Sequence, residues 1–278
     1  MEKIRIVADS AADIKQLDGF PFSVASLKII TAEHEYVDDA TLDVEQMVEN
    51  LQKYKGRSST ACPSSGDWLA AFGDAEQVFC VTITGTLSGS YNAARIAKEQ
   101  YEESYPGRRG FVLNSLSAGP EIRLMLEKLK ELAQMTFSFE EIGRQIKEYT
   151  QRTGLLFMLE SMKNLANNGR VSPLVAKMAG LLGIRVVGKA SDKGDLEPLV
   201  KSRGQVKALE SIVDLMKKQC YTGGKVRIAH CQNERAGLDL KSRILEEFPR
   251  AQVLIDRCGG LCSFYAEKGG LLVGFEKA

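Results

Sequence analysis

The sequence predicts an α/β protein with two domains, of which the first is built on a doubly wound parallel sheet. From Ile4 to about Thr150, short apolar runs that are typical of buried strands alternate with segments whose apolar residues recur at helical spacing. Parallel strands need crossover helices between them, so this alternation favours a parallel sheet with helices on both faces. A chain of 278 residues is also long enough to form two cores of ordinary size.

The elements of the first domain follow from runs of β-branched and apolar residues and from apolar positions at helical spacing. We expect strands over residues 4–8, 22–30, 78–83 and 110–113, and helices over 44–54, from Trp68, from the Ala-rich segment after Ser90 to about Tyr105, and over 122–134 and 139–150. Residues 58–66 are predicted to form a polar loop. Ser64 with Asp67, and Ser10 with Asp13, have the spacing of helix caps.

The second half has a different order of elements, and we place the domain boundary near Thr153. The chain then divides into domains 1–152 and 153–278, and the second is predicted to be an α/β domain with a mixed or antiparallel sheet. We expect strands over residues 154–159, 184–188, 196–201, 226–230, 252–256 and 271–275, and helices over 162–166, 174–182, 205–218 and 236–248.

The segment 78–95 is the clearest candidate for a binding site. A buried strand is followed by Gly85, and the hydroxyls of Ser88 and Ser90 then precede a helix. The first turn of a helix has unpaired backbone N–H groups and the positive end of the helix dipole, so it favours a carboxylate or a phosphate. Three further polar turns end or adjoin predicted strands: Asp9-Ser10, residues 60–64 and Asn114-Ser115. We expect the ligand to bind where these turns meet.

The composition excludes some classes of partner. There are 37 basic and 36 acidic residues, which give a formal net charge of +1, and 44% of the residues are hydrophobic. A nucleic-acid partner is not expected, because no face or tail has the surplus of Lys and Arg that neutralises phosphates. A small molecule or another protein is the expected partner.

The cysteines and histidines do not predict a metal site. The six cysteines include no C-x-x-C pair, and the chain has only two histidines, His34 and His230. We therefore expect no metal and no cofactor, and the lack of a G-x-x-x-x-G-K-[ST] loop argues against ATP binding by the chain itself. The start of the sequence does not resemble a signal peptide, and no apolar stretch is long enough to span a bilayer, so we expect a reduced, cytoplasmic protein.

Five short motifs occur in a fixed order along the chain. They are Asp9-Ser-Ala-Ala-Asp-Ile14, which resembles D-S-x-x-D-L; Thr60-Ala-Cys-Pro-Ser64, which resembles T-S-Q-P-S; Leu87-Ser-Gly-Ser-Tyr91, which resembles L-S-G-T-Y; Leu165-Ala-Asn-Asn-Gly-Arg-Val-Ser172, which resembles L-x-x-G-G-R-I-S; and Lys201-Ser-Arg-Gly204, which resembles K-x-R-G. In this order the motifs resemble the DegV family of fatty-acid-binding proteins, which includes the binding subunit of bacterial fatty acid kinase.

The resemblance implies a function and a set of site residues. A long-chain fatty acid would lie in a buried apolar tunnel, with its carboxyl group held by Thr60 and Ser88, and a separate kinase would phosphorylate the bound acid. We expect Gly89, Ser90 and Ser115 to complete the carboxyl site. Asp9, Ser10, Arg170 and Glu267 would lie near the headgroup, and Arg203 would dock the kinase. The helix over 174–182 would cover the tunnel and contact a membrane surface transiently.

The chain departs from the family pattern at three of these places. Glu267 is nearest to the histidine of the family's H-T-G-P-G segment, which approaches the lipid headgroup. An ionised carboxylate there would repel a fatty acid carboxylate unless a neighbour such as Lys268 or a raised pKa of Glu267 offset the charge. Cys62 replaces the glutamine of T-S-Q-P-S, and Asn114 replaces an acidic residue.

Simpler interpretations exist for single residues, and other functions are considered beside the carrier. Ser88 alone would be a helix cap, Thr60 a loop hydroxyl, Arg170 a helix-end residue and Arg203 a solvated turn residue. An apolar stripe at Val175, Met178, Leu181 and Leu182 would normally face a core. The alternative functions are a serine hydrolase using Ser88, a thiol hydrolase using Cys62 and His230, and a dihydroxyacetone-kinase-like ketone binder using His230. A DNA-binding regulator is disfavoured by the near-neutral charge.

Overall fold

A computed structural model describes residues 3–177, 179 and 183–278. In the described part of the chain the strands are β1 (Ile4–Asp9), β2 (Phe22–Ala25), β3 (Lys28–Ile30), β4 (Glu35–Val37), β5 (Ser59–Ala61), β6 (Gln77–Thr82), β7 (Arg109–Asn114), β8 (Thr153–Leu159), β9 (Ile184–Ala190), β10 (Leu196–Arg203), β11 (Lys225–His230), β12 (Gln252–Arg257) and β13 (Leu271–Glu276).

Most of the helices in the described part of the chain occur in the order that the alternating pattern predicts. They are α1 (Val44–Lys53), α2 (Ser65–Phe72), α3 (Ser90–Ser104), α4 (Pro120–Ala133), α5 (Phe139–Thr150), α6 (Lys163–Asn167), α7 (Pro173–Ala176), α8 (Gln205–Lys218), α9 (Glu234–Glu247) and α10 (Gly260–Ala266), with a 3-10 turn at Ser10–Ala12. The predicted helix over residues 174–182 corresponds to α7 in part, and residues 178 and 180–182 lie outside the described residues.

The first sheet confirms the predicted doubly wound architecture. Its four strands lie in the order β2-β1-β6-β7, and every neighbouring pair is parallel. Side chains alternate between the two faces, so Ile6 and Phe79 pack with α4 and α5, whereas Val7 and Cys80 pack with α2 and α3. Helices therefore cover both faces of the sheet.

The second sheet has six strands in the order β10-β9-β8-β13-β11-β12, of which only the β11–β12 pair is parallel. This is the mixed α/β architecture that was predicted for the second half. The first sheet lies wholly before residue 153 and the six-stranded sheet begins at Thr153, so the division into 1–152 and 153–278 stays our proposal for the domains.

A third, small sheet was not predicted. It consists of β4-β3-β5, with both pairs antiparallel. The prediction of one strand over residues 22–30 was wrong, because β2 pairs with β1 whereas β3 pairs with β5. The chain turns between β2 and β3, where Ser10 Oγ accepts a hydrogen bond from Leu27 N at 3.0 Å. Thr60 lies in strand β5, not in a loop as predicted.

Two local predictions about helix ends differ in outcome. Ser64 and Asp67 form the predicted capping box at α2, with each side chain accepting from the backbone N–H of the other. Ser10 and Asp13 do not form one: Ser10 is the first residue of a single 3-10 turn whose N-cap is Asp9, and Asp13 ends this turn in a left-handed conformation. In the described residues we find no helix with the length and apolar character needed to cross a bilayer.

Candidate functional site

An apolar cavity of about 350 Å³ lies between the six-stranded sheet and the segments at the ends of β5 and β6. Its walls come from one face of β8, from β13, from α10 and from the loops at the ends of β5 and β6. The lining residues are Leu27, Thr60, Ala61, Cys62, Ile83, Leu87, Ser88, Gly89, Ala118, Leu155, Phe157, Leu159, Leu165, Arg170, Leu196, Leu261, Cys262, Tyr265, Ala266 and Leu272. We call this space the apolar cavity, and most of its wall is aliphatic or aromatic carbon.

Four of the lining residues bring polar side-chain groups to the apolar cavity: Thr60, Ser88, Arg170 and Tyr265. Thr60 Oγ1 and Tyr265 Oη share a hydrogen bond of 2.8 Å. The Arg170 guanidinium lies 5.9 Å from the centre of the Tyr265 ring, within the range of a cation–π contact. Burial raises the pKa of the Tyr265 phenol, so its hydroxyl stays protonated and available as a donor. We call these four side chains the polar mouth.

Arg170 is held in place by backbone carbonyls on both sides. Its Nε donates to Leu87 O at 3.2 Å, and its Nη1 donates to Asn168 O at 2.6 Å. Helix α6 ends just before it, and Gly169 has a φ of +73°, a left-handed conformation that glycine adopts without strain. The guanidinium is thereby fixed beside the loop that carries Ser88.

Ser88 and Gly89 form the turn that starts helix α3. Gly89 is the N-cap residue and provides no side-chain cap, while Ser88 Oγ accepts a hydrogen bond from Ser90 N at 3.3 Å. A Cβ atom on Gly89 would lie 3.1 Å from Cys62 Sγ, so this turn lies directly against the end of β5. A second, more open groove is lined by Leu87, Ser88, Gly89 and Arg170 together with Gly85, Thr86, Tyr91 and Asn92. The polar mouth therefore borders an external groove.

Asp9 lies behind the mouth rather than in the cavity wall. It is fully buried, and its Oδ2 accepts hydrogen bonds from Ser90 Oγ at 2.6 Å and from Ile83 N at 2.9 Å. Burial raises the pKa of this carboxyl to about 7, although the bonds from Ser90 and Ile83 oppose the rise. Asp9 thus connects the start of α3 to the end of β6 and can remain protonated near neutral pH.

Several predicted site residues are placed outside the cavity lining. The Ser90 hydroxyl bonds to Asp9, and the Ser10 hydroxyl to Leu27 N. The Ser115 hydroxyl bonds within its own turn, to Ser117 O at 3.1 Å. Of the predicted carboxyl-binding residues, the structure brings Thr60, Ser88 and Gly89 to the cavity.

Glu267 also lies outside the lining of the apolar cavity. It ends α10 with a positive φ of 54°, and its Oε1 accepts a hydrogen bond from Asn164 N at 3.0 Å in the first turn of α6. Asn164 Nδ2 in turn donates to Phe264 O at 2.8 Å. These two bonds join α10 to α6, the helix that leads to Arg170.

Two aspartates hold the opposite end of α10. Asp38 is fully buried and accepts hydrogen bonds from Gly260 N at 3.0 Å and Leu261 N at 2.9 Å, while Lys15 Nζ lies 2.8 Å from its Oδ1. Asp13 Oδ1 accepts a bond from Gly259 N at 2.8 Å. Burial, and secondly the charge of Asp38, raise the pKa of Asp13 to about 7. Carboxylates at a helix N-terminus stabilise it, so α10 is anchored to the first half of the chain.

The alternative of a thiol hydrolase is not favoured by the geometry. Cys62 lines the apolar cavity, whereas His230 lines a different cavity together with Glu45, Arg257 and Lys268. His230 Nδ1 accepts a hydrogen bond from Asn233 N at 3.3 Å, and burial lowers the pKa of the ring. No group of His, Cys, Asp and Glu suited to a metal ion occurs within residues 3–177, 179 and 183–278.

The fold and the site define an α/β protein with an apolar cavity and a polar mouth. The DegV family model matches residues 3–278, and the chain belongs to this family. A DegV domain-containing protein of Streptococcus pneumoniae (strain ATCC BAA-255 / R6) is 46% identical over 276 residues, which cover 98% of each chain. A DegV domain-containing protein from Streptococcus pyogenes serotype M1 is 42% identical over 276 residues, which cover 98% of this chain and 99% of that protein.

Solved structures extend the comparison to the fold. A DegV family protein from Eubacterium eligens, loaded with heptadecanoic acid, matches with a TM-score of 0.97 and 44% identity over 99% of this chain and 100% of that chain. The Fatty Acid Kinase (Fak) B3 protein of Streptococcus pneumoniae, loaded with linoleic acid, matches with a TM-score of 0.97 and 45% identity over the same shares of the two chains.

Proposed function

We propose that this protein binds one long-chain fatty acid, with the acyl chain in the apolar cavity and the carboxylate at the polar mouth. The observation that carries the proposal is the cavity itself: about 350 Å³ of space with an apolar wall and four polar side chains. This volume is within the range of small-molecule sites in proteins. Transfer of each methylene group from water stabilises the complex by roughly 0.8 kcal/mol, so a long chain supplies most of the affinity.

The polar mouth has the groups that a carboxylate needs. In this proposal the hydroxyls of Thr60 and Ser88 donate hydrogen bonds to the carboxylate, and Arg170 supplies the positive charge. Either hydroxyl of the Thr60–Tyr265 pair could donate in their bond; in this proposal Tyr265 Oη is the donor, which leaves the Thr60 hydroxyl hydrogen free for the ligand. Asp9 lies behind this site with a raised pKa, so it adds less negative charge than an ordinary carboxylate would.

The relatives support this proposal. The proteins from E. eligens and S. pneumoniae that share 44% and 45% of their residues with this chain were crystallised with a C17 saturated acid and with linoleic acid. Because these chains superpose over nearly their whole length, a ligand of the same class is the simplest occupant of the apolar cavity.

The test is to identify the ligand and then to vary its headgroup. Native mass spectrometry of protein purified from a bacterial host should show one bound long-chain acid, identified after extraction. Delipidated protein should then bind hexadecanoic acid tighter than 1-hexadecanol by about tenfold or more, because bonds to a charged group contribute about 1.5–3 kcal/mol. If the purified protein carries no lipid and binds neither compound, the proposal is contradicted. If hexadecanoic acid and 1-hexadecanol bind with equal affinity, the proposed role of the polar mouth is contradicted.

We further propose that a separate kinase acts on the bound acid and that Arg203 belongs to its docking surface. Arg203 is exposed, ends β10, and forms no ion pair with the residues that the structure describes. The Fak B3 protein of S. pneumoniae supports a kinase partner. An Arg203→Glu variant should bind fatty acid normally but fail to support acyl phosphate formation by a fatty acid kinase, while Arg152→Glu, at another exposed site, should remain active.

Contact with a membrane surface is proposed at α7. Leu174 is 78% exposed, and its neighbours Val175 and Ala176 pack on the same apolar cluster as Leu165 and Tyr265 of the cavity wall. An exposed leucine next to the cavity wall would insert into a bilayer at low cost. Leu174→Asp should slow the uptake of fatty acid from vesicles without changing its affinity, and equal uptake rates would exclude this surface.

A further inference from the structure

The wall of the apolar cavity contains an aromatic side chain in an unusual position. Phe157 is at the centre of the six-stranded sheet, with Gly188 of β9 directly opposite on one side and Leu272 of β13 directly opposite on the other. The Phe157 side chain is fully buried and lines the apolar cavity, as does Leu272. Phe157 and Leu272 therefore belong to the part of the six-stranded sheet that forms the floor of the cavity, and Gly188 is the neighbour of Phe157 in the next strand.

The Phe157 ring occupies the space where Gly188 would carry a side chain. A Cβ atom on Gly188 would lie 2.4 Å from Phe157 Cζ and 2.8 Å from Phe157 Cε2. Side chains of a strand normally stand roughly perpendicular to the sheet, whereas this ring extends sideways over the backbone of the neighbouring strand. Because Gly188 has no side chain, the Phe157 ring can pack directly against the backbone of β9.

The backbone of β10 also occupies the space next to Gly188. The carbonyl oxygen of Glu197, in β10, would lie 2.4 Å from that Cβ atom, and the pairing of β9 with β10 is irregular between Pro198 and Val200. A side chain at position 188 therefore has no free space, and the conformation of Phe157 depends on the glycine.

We propose that Phe157, lying over Gly188, sets the size of the acyl-chain subsite and thereby selects which fatty acids bind. This inference rests on the proposed function. Leu155 and Leu159 lie on the same face of β8 as Phe157, and all three contact the cavity. Phe157 is the largest of the three, so its position decides how much space remains above the floor.

One substitution enlarges this space. Phe157→Ala removes the ring and lengthens or widens the subsite. Each methylene that a larger subsite buries improves affinity roughly fourfold, so the most abundant bound acid should become about two carbons longer in Phe157→Ala.

The experiment uses delipidated full-length protein and an equimolar mixture of saturated acids from C12 to C22, with the bound acids counted by native mass spectrometry. Leu156→Ala is the matched control, because Leu156 is fully buried on the same strand but packs on the opposite face of the sheet. Its profile should equal that of the unsubstituted protein. Thermal unfolding verifies that each variant is folded, and Phe157→Leu replaces Phe157→Ala if the latter is not.

The outcomes separate this inference from the proposed function. A longer-chain profile in the Phe157 variant and an unchanged profile in Leu156→Ala support it. An unchanged profile in a folded Phe157 variant, or the same change in Leu156→Ala, overturns it while fatty acid binding stands. If the unsubstituted protein binds no acid from the mixture, the proposed function fails and the inference fails with it.

Discussion

Thr60 Oγ1 and Tyr265 Oη are joined by a hydrogen bond of 2.8 Å although the two residues are 205 positions apart in the chain. This bond connects β5, in the small sheet, to α10, which packs against the six-stranded sheet. The other end of α10 is anchored by Asp13 and Asp38. One wall of the apolar cavity is thus fixed to the first half of the chain at both ends, which positions the Thr60 hydroxyl before a ligand binds.

The Tyr265 hydroxyl is predicted to orient Thr60. Tyr265→Phe keeps the ring and its packing but removes the hydroxyl that bonds to Thr60, so we expect a loss of about 1 kcal/mol in the binding free energy of a fatty acid, roughly fivefold in affinity. Isothermal titration with hexadecanoic acid measures this loss. The matched control is Tyr221→Phe, which removes a hydroxyl bond to Gly224 O at 3.1 Å elsewhere in the protein. An equal loss in both variants would mean that the effect is general and not due to the mouth.

Ser88 is predicted to bind the ligand directly. Ser88→Ala should weaken fatty acid binding by about 1 to 3 kcal/mol, because a hydrogen bond to a charged group is lost. The same substitution should leave the affinity for 1-hexadecanol nearly unchanged, since a neutral headgroup gains less from that bond. Ser104→Ala, at the exposed end of the same helix, is the control. Unchanged affinity for the acid in Ser88→Ala would show that the carboxylate is bound elsewhere.

The strands of the first sheet could be predicted because their local pattern and their final environment agree. The run from Val78 to Val81 is apolar at every position and is buried at every position, as expected for a central parallel strand with helices on both faces. The helices α4, α5 and α8 were predicted for the same reason: each buries the apolar face that its sequence presents.

The parts that were missed depend on partners distant in the chain. Strand β5 has only three residues and exists because it pairs with β3, so its sequence alone looks like a polar loop. Helix α10 was not predicted because it begins at Gly259-Gly260 and is stabilised there by Asp13 and Asp38 from the first half. The sequence around Tyr265 contains no motif that predicts its position in the polar mouth.

The candidate site was predicted in part. Local sequence indicated the turns at Thr60 and Ser88, and the DegV resemblance indicated Thr60, Ser88 and Arg170; all three residues line the apolar cavity. The position of Glu267 could not be inferred, because nothing in the sequence near residue 267 indicates that its carboxylate accepts from Asn164 N. A sequence pattern identifies the turn in which a residue lies, whereas the direction of the side chain depends on the elements packed around that turn.

Glu267 is predicted to stabilise the protein rather than bind the headgroup. Glu267→Ala removes the acceptor for Asn164 N and should lower the free energy of unfolding by about 1 kcal/mol, with less than about a threefold change in fatty acid affinity. Glu267→Gln retains an acceptor oxygen and should lose less stability. Urea denaturation and titration measure the two quantities separately. A large change in affinity with unchanged stability would instead place Glu267 at the ligand.

The buried carboxyl groups predict how stability depends on pH. The pKa of Asp9 is raised to about 7 in the folded protein by burial, whereas in the unfolded chain it has the ordinary value of 3.8. Between these values the folded state binds more protons than the unfolded state, so this group stabilises the fold at low pH and the stabilisation is lost as the pH rises through 7. Asp9→Asn keeps the shape but does not titrate, so the stability difference between the unsubstituted protein and the variant should change by about 2 kcal/mol from pH 5 to pH 7. Urea denaturation at each pH measures this change, and a constant difference would show that Asp9 is ionised throughout.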